Sequence, residues 1–296
     1  MPFYHKAGKI PQKRHTIFRK PNGNLYSEEL ISTEGFSSIS SLVYHCHPPT
    51  LVSDIGEPYS VEPEYIKEKN LKHRSFTTFS AKPDKDYLKS RVCLMGNRDL
   101  QISTAAPSQS MTEYFYKNSD ADEVIFVHKG SGKLLTLYGE IEFEYGDYLV
   151  IPRGTIYQLH FNDDNNRLLI TDSFTPIHPP KRYRNNFGQL LEHSPYCERD
   201  IKIPENLKTY DEEGEYKVMI KKSGHIFPYT MATHPFDAIG WDGFVYPWAF
   251  SIHNFEPITG RVHQPPPVHQ TFEGHNFVIC SFCPRLYDYH PEAIPA

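Results

Sequence analysis

Long apolar runs are missing from this 296-residue chain, and none comes near the roughly 20 residues a membrane-crossing helix needs. The opening segment, MPFYHKAGKIPQKRH, has no apolar core of the kind a secretion signal carries. Charge of one sign is also scarce. Lys and Arg (31) nearly balance Asp and Glu (36), the formal charge is −5, and no basic stripe appears, so nucleic acid is not an expected partner. The five cysteines (Cys46, Cys93, Cys197, Cys280 and Cys283) are odd in number and scattered, which excludes a disulfide framework. Glycine (17) is outnumbered by proline (25), and that mixture disfavours long helices. A soluble, cytoplasmic protein with no membrane partner is the expectation.

What the chain has in quantity is tyrosine (20) and phenylalanine (19), both strand formers. Its length is enough to bury a sizeable core in one large domain or two. Strand patterns recur between residues 91 and 175, at Glu113–Tyr116, Glu123–His128, Lys133–Leu137, Glu140–Tyr145, Tyr148–Ile151, Ile156–Phe161 and Arg167–Asp172. Turn signals separate them at Gly130-Ser131-Gly132, Gly139, Gly146-Asp147 and Asp163–Asn166. Such punctuation predicts an all-β fold, closed or sandwiched. Residues 1–90 read as polar and irregular, with strand-like pieces at His15–Arg19, Ser41–His45 and Phe76–Phe79. Segment 59–73 reads as a short helix or an exposed loop. Residues 176–230 read as a connection whose strand Glu215–Lys221 carries its charges on a solvated face. Arg182 and Arg184 there suit a carboxylate or a neighbouring subunit, with a plain surface role preferred. Trp241–Gly243 and Tyr246–Trp248 read as packed turns, and Phe250–Phe255 and Phe277–Phe282 as strands.

Three groups of residues could carry chemistry. His45-Cys46-His47 would place two imidazoles on one strand face, a metal-ligand geometry, but Pro48 follows and no carboxylate lies close in sequence. Two histidines supporting a loop is the preferred reading. Cys280 and Cys283 form C-x-x-C, yet on a strand that odd spacing points the thiols to opposite faces, and no second pair stands at zinc spacing. The third group is the densest. Between residues 234 and 289 lie both tryptophans, Trp241 and Trp248, and five histidines, His234, His253, His263, His269 and His275. Imidazole suits proton transfer and metal binding near neutral pH. In HQPPPVHQTFE three prolines hold His263 and His269 on a stiff connection, which suits a pre-organised site.

The run GWDG…YP.AFSIHNFEPITGRVHQPPPVHQTFE…FVICSF.PRLYDYHPEAIP resembles the homogentisate dioxygenase family, non-haem iron enzymes that open an aromatic ring in tyrosine catabolism. The likeness covers most of the chain and is strongest from Phe236 to Pro295. Further upstream, DEVIFVHKGSGKL…YGEIEFEYGDYLVIPRGTIYQL resembles the two sequence blocks of a cupin barrel. The places where metal-binding cupins carry ligands hold Tyr116, Asn118, Glu123 and Tyr157 here, and one carboxylate does not make a transition-metal site. Glu123 is therefore expected to accept a hydrogen bond from backbone or from a neighbouring tyrosine.

The resemblance implies a bicupin-like protein with few short helices. Residues 1–250 would form a metal-free N-terminal β domain with its barrel core at about 91–175, and 251–296 would begin a catalytic cupin. It implies Fe(II), O2 and a small aromatic acid as partners, with homogentisate opened to maleylacetoacetate, and a trimer-based homo-oligomer. His263 matches the histidine that the family assigns as proton acceptor. His253 and His269 are supporting candidates. The family's His, Glu and His ligands begin just after the segment matching DYHPEAIP, so no metal ligand is assigned within these residues and the chain is expected to be C-terminally incomplete. The rival readings are a metal-free cupin scaffold that binds partners, and a sugar isomerase with its site inside the first barrel.

Overall fold

The structure, a computed structural model, describes residues 2–66, 70, 72–260 and 268–295. Among them the regular elements are β-strands and four single turns of 3-10 helix. No helix among them is long and apolar enough to cross a membrane.

Two large sheets face each other, as the all-β expectation requires. One runs through Gly139–Phe143, Gly132–Thr136, Ile156–Phe161, Phe115–Asn118, Glu213–Lys222, His225–Thr233 and Val52–Ile55. The other runs through Ile201–Lys202, Trp248–Ser251, Asp147–Ile151, Asp122–Lys129, Arg167–Ser173, Leu100–Ala105 and Val92–Gly96. Alternation explains the facing: in Gly132–Thr136 every second residue is buried, and Leu134, Ile141 and Leu159 meet Ile125, Leu149 and Ile170 in one core. Nearly all pairings are antiparallel. The exception matters below: Glu213–Lys222 runs parallel to Phe115–Asn118, setting Lys221 opposite Asn118.

A third sheet takes its strands from distant parts of the chain, in the order His5–Gly8, Ala238–Gly243, Ser40–His45, Ser27–Ser32. It closes a second, aromatic core around Trp241, Tyr246, Trp248, Phe250 and Phe272. Trp241 is fully buried, meets Tyr138 edge-on at 5.0 Å, and donates its indole N–H to the Tyr138 carbonyl at 2.9 Å. Truncating a ring so placed to alanine costs about 3–5 kcal/mol. The hairpin Gln270–Gly274 and Phe277–Cys280 packs on the same core through Phe272, which stands edge-on to Trp248 at 5.0 Å.

Several local expectations are corrected. Trp241–Gly243 is strand rather than turn; every residue of Ala238–Gly243 is buried, so no alternation marks it, and its glycines imitate a turn signal. His15–Arg19 and Phe76–Phe79 are not strands, and the second leads into the 3-10 turn Thr78–Ser80. Of the two readings of 59–73, the exposed loop holds for the described residues and the helix does not, with Tyr59–Ser60 adding a short strand paired with His225–Thr233. Lys221 is buried rather than solvated.

The third sheet is stapled by charge. His45 ends Ser40–His45 with its side chain 3% exposed; Nδ1 lies 2.6 Å from Asp237 and Nε2 3.1 Å from Glu29. Burial alone would lower its pKa, but the bonds to Asp237 and Glu29 outweigh that and push it up to about 9. Because the folded value lies above the ordinary 6.5, the stabilisation is fully present below pH 6.5 and disappears as pH rises through about 9. A shift of this size corresponds to on the order of 3 kcal/mol. Urea unfolding at pH 6 and pH 9.5 is expected to show that loss in the wild type and a much flatter profile in His45→Gln; parallel profiles would remove the staple.

Candidate functional site

The histidine-rich stretch is built on Trp248–Ser251, a strand held between Asp147–Ile151 and Ile201–Lys202. A 3-10 turn at Ile252–Asn254 follows, where the His253 ring packs on Tyr145 at 5.3 Å. Gly146 (φ +91°) makes room for that ring, since a Cβ there would lie 2.5 Å from His253 Nε2. His263, the proton acceptor implied by the resemblance, lies outside the described residues, as do the prolines beside it. The described residues on either side of it are anchored. The Gly260 amide donates to the Tyr287 carbonyl at 3.3 Å, and the Ser281 amide donates to the His269 carbonyl at 2.8 Å.

His269 is the best-positioned imidazole among the described residues of this stretch. Its Nδ1 lies between two backbone groups, 3.1 Å from the Ser281 carbonyl and 3.4 Å from the Cys283 amide, which fixes the ring. Ser281 itself is fixed by the Thr271 hydroxyl at 2.6 Å and the Tyr148 hydroxyl at 3.1 Å, all three buried. The remaining histidines do not join it. His234 is stacked on Tyr210 at 4.2 Å and 11°, and burial lowers its pKa. His275 sits in the exposed hairpin turn, its amide donating to Thr175 Oγ1 at 2.9 Å. Imidazoles close in sequence are thus dispersed in space.

Cys280 ends its strand, Cys283 lies beyond it against the aromatic core, and burial pushes both thiols up, away from thiolate chemistry. His45 is bonded to two carboxylates, while His47 Nε2 lies 2.7 Å from Asp211 without hydrogen-bond geometry. Arg182 leans over the Tyr183 ring at 4.9 Å. Arg184 is half-buried beside His178, Lys181 and Glu273 in a groove of about 920 Å³.

Inside the barrel the four ligand-like positions hold something other than a metal site. Glu123 and Asp172 are register partners on adjacent strands, both buried, and like charges so opposed repel. Arg91 lies between them, Nη1 2.8 Å from Glu123 and Nη2 2.7 Å from Asp172. The first is a hydrogen bond; the second is a charge contact without hydrogen-bond geometry. Lys221 Nζ reaches Asp172 at 2.7 Å, and the Asn118 amide donates to the same carboxylate at 3.4 Å. Tyr157 donates to Glu123 at 2.7 Å, the hydrogen bond expected of a neighbouring tyrosine, and Tyr87 does so at 3.4 Å. Burial, and then the charge of Asp172, raise the Glu123 pKa against the pull of Arg91. Burial opposes ionisation of Asp172 too, but Arg91 and Lys221 hold it below the ordinary value. Of the pair, Glu123 takes a proton first.

This interior does not fit Fe(II). An incoming divalent cation would meet the Arg91 guanidinium and the Lys221 ammonium, and the carboxylates it would need are already bonded to them. Among the described residues no group of three or more His, Cys, Asp and Glu side chains is arranged to hold a metal. Sequence reasoning found Glu123 but missed Arg91, Asp172 and Lys221. Asp172 had a signal, since it shares the inward face with Leu168 and Ile170. Lys221 had none, because its place comes from the parallel pairing.

The charge network predicts unequal mutant costs. Arg91→Leu leaves two buried carboxylates opposed and is expected to lose about 3–5 kcal/mol in denaturant unfolding. Glu123→Gln keeps an acceptor for Tyr157 and should cost clearly less; equal losses would deny Arg91 its bridging part.

Residues 58–252 match the family described as homogentisate 1,2-dioxygenase N-terminal. A protein of Saccharolobus solfataricus, provisionally named a dioxygenase, is 43% identical over 295 residues, covering 100% of this chain and 76% of its own length. Among solved structures, a cupin-2 domain containing protein from Shewanella frigidimarina is 19% identical, covers 28% of this chain and 79% of its own, and gives a TM-score of 0.25. KdgF from a Halomonas species is 14% identical, with 28% and 76% coverage and a TM-score of 0.25. Scores this low carry no argument.

Proposed function

The chain belongs to the homogentisate 1,2-dioxygenase family, and on that premise we propose that it serves an oxygenase that opens the ring of a dihydroxylated aromatic acid. The substrate proposed is homogentisate, converted with O2 to maleylacetoacetate by an Fe(II) enzyme built as a trimer-based homo-oligomer. What supports this reading is a relationship that runs through the whole chain, taking in both the barrel and the loop that bears His263.

The described residues do not fit iron, so no step through the ion is assigned to them. In this proposal the ligands come from sequence outside residues 1–296, as the resemblance implies. The first barrel is then a metal-free support. His263 takes the proton of a phenolic hydroxyl, its imidazole becoming imidazolium while the phenolic oxygen is left anionic. His269 is held by the Ser281 carbonyl and the Cys283 amide at its Nδ1, which fixes the described chain that follows.

A second reading, a scaffold that binds partners and catalyses nothing, is favoured by the barrel interior, where Arg91 stands against the one ligand-like carboxylate. Kinetics separate the two. In the full-length gene product, His263→Gln is expected to lower oxygen uptake on homogentisate by on the order of 10²–10⁴-fold while bound iron stays unchanged. Unchanged uptake would remove His263 from the role, and a wild-type product without homogentisate-dependent uptake would leave the scaffold reading.

A further inference from the structure

The mouth of the first barrel holds a cavity of about 220 Å³ that ring opening, as proposed above, does not use. It lies where the two large sheets part, between Tyr116, Lys221 and Ile226 on one side and Asp172 and Ser103 on the other. Tyr59, Val61 and Pro63 roof it, and Arg91 reaches it from below. We propose that this cavity binds a small monocarboxylate with a compact apolar body, its carboxylate held by Lys221 and Arg91.

Charge sets the sign of the ligand. The ionisable side chains lining the cavity are Lys89, Arg91 and Lys221 against Asp172 and two neutral tyrosines, with Cys93 at the edge. Glu123 does not line it, being screened behind Arg91. The lining itself is formally positive by two; Glu123 against Arg91 and Asp86 against Lys89 offset that from outside it, so it is the side facing the cavity that favours an anion over a cation. Lys89 is partly spent on Asp86 at 3.1 Å, so the deep pair, Lys221 and Arg91, does the holding.

Unused donors set the chemistry. Lys221 is 9% exposed, and among the described residues its one hydrogen bond goes to Asp172, so two of its three N–H groups face no protein acceptor. Tyr116, 1% exposed, also lines the cavity, and its hydroxyl has no hydrogen bond among the described residues. Arg91 Nη2 is buried without a hydrogen-bond partner, Lys221 and Tyr116 line the same space, and a carboxylate offers two oxygens to accept from them. The walls set the body of the ligand: Val61, Pro63, Leu88 and Ile226 are apolar, and Tyr59 adds a ring face. At 220 Å³ the space lies below the roughly 300–1,000 Å³ typical of drug-sized ligands, so one small ring or a short branched chain fills it.

Benzoate is the probe. Titrated into the full chain and followed by amide shifts, it is expected to bind saturably, one per chain, with the largest shifts in Leu100–Ala105 and around Lys221. Benzamide, the same shape without charge, should bind at least about tenfold more weakly, since a charge-assisted bond is worth about 1.5–3 kcal/mol. Lys221→Met should weaken benzoate by a similar factor. Because that change also strips Asp172 of a partner, Val61→Trp is the second arm. Val61 is 41% exposed at the roof, so the variant folds as the wild type does while the indole blocks the space, and benzoate binding should be lost. Absence of saturable benzoate binding, equal affinity for benzamide, or full affinity in Val61→Trp would overturn the proposal. Oxygen uptake on homogentisate does not enter this test, so its failure leaves the ring-opening reading untouched, and the reverse holds too.

Discussion

One guanidinium carries the interior of this protein. Register places Glu123 and Asp172 directly across from each other on the inward face of adjacent strands, a pairing that repels in a dry core. Arg91 turns the repulsion into a bridge, and the bridge reaches further than the two carboxylates. It fixes the turn that carries Tyr87, also buried against Glu123, and shares Asp172 with Lys221 from the opposite sheet. Arg91 thus holds the two carboxylates of one sheet, and Lys221 and Tyr157 carry the tie across to the other. A metal-binding barrel neutralises inward-facing ligands with a bound ion; here the cation is part of the chain and cannot be lost to a chelator.

The fold was largely readable from the residues. Short strands in the central region, punctuated by Gly130, Gly139 and Gly146, announced facing β-sheets because alternation was intact there, as in Gly132–Thr136. Reading failed where alternation failed. Ala238–Gly243 is buried on both faces and rich in glycine, so strand looked like turn. Lys221 looked solvated because the segment around it is rich in charge, whereas its position follows from a parallel pairing with Phe115–Asn118 that no local pattern encodes.

The candidate site was less readable, for a different physical reason. Sequence density of histidine suggested convergence, but strand geometry sends neighbours apart. His253 goes to Tyr145, His234 to Tyr210 and His269 to the Ser281 carbonyl, each satisfied locally. The imidazole with the strongest electrostatic surroundings, His45, stands nearly two hundred positions upstream of that cluster and meets Asp237 only through the third sheet. Carboxylates absent from its sequence neighbourhood were supplied by the fold.

That third sheet has a consequence for the order of assembly. The edge strand His5–Gly8 pairs with Ala238–Gly243, Ala7 standing opposite Trp241. At a synthesis rate of about 5–20 residues per second, this strand waits roughly 10–50 s for its partner. Throughout that interval its unpaired edge is open to strangers. The alternation of half-buried and exposed residues in this strand, with Lys6 between His5 and Ala7, keeps the waiting edge short and charged until translation delivers its mate.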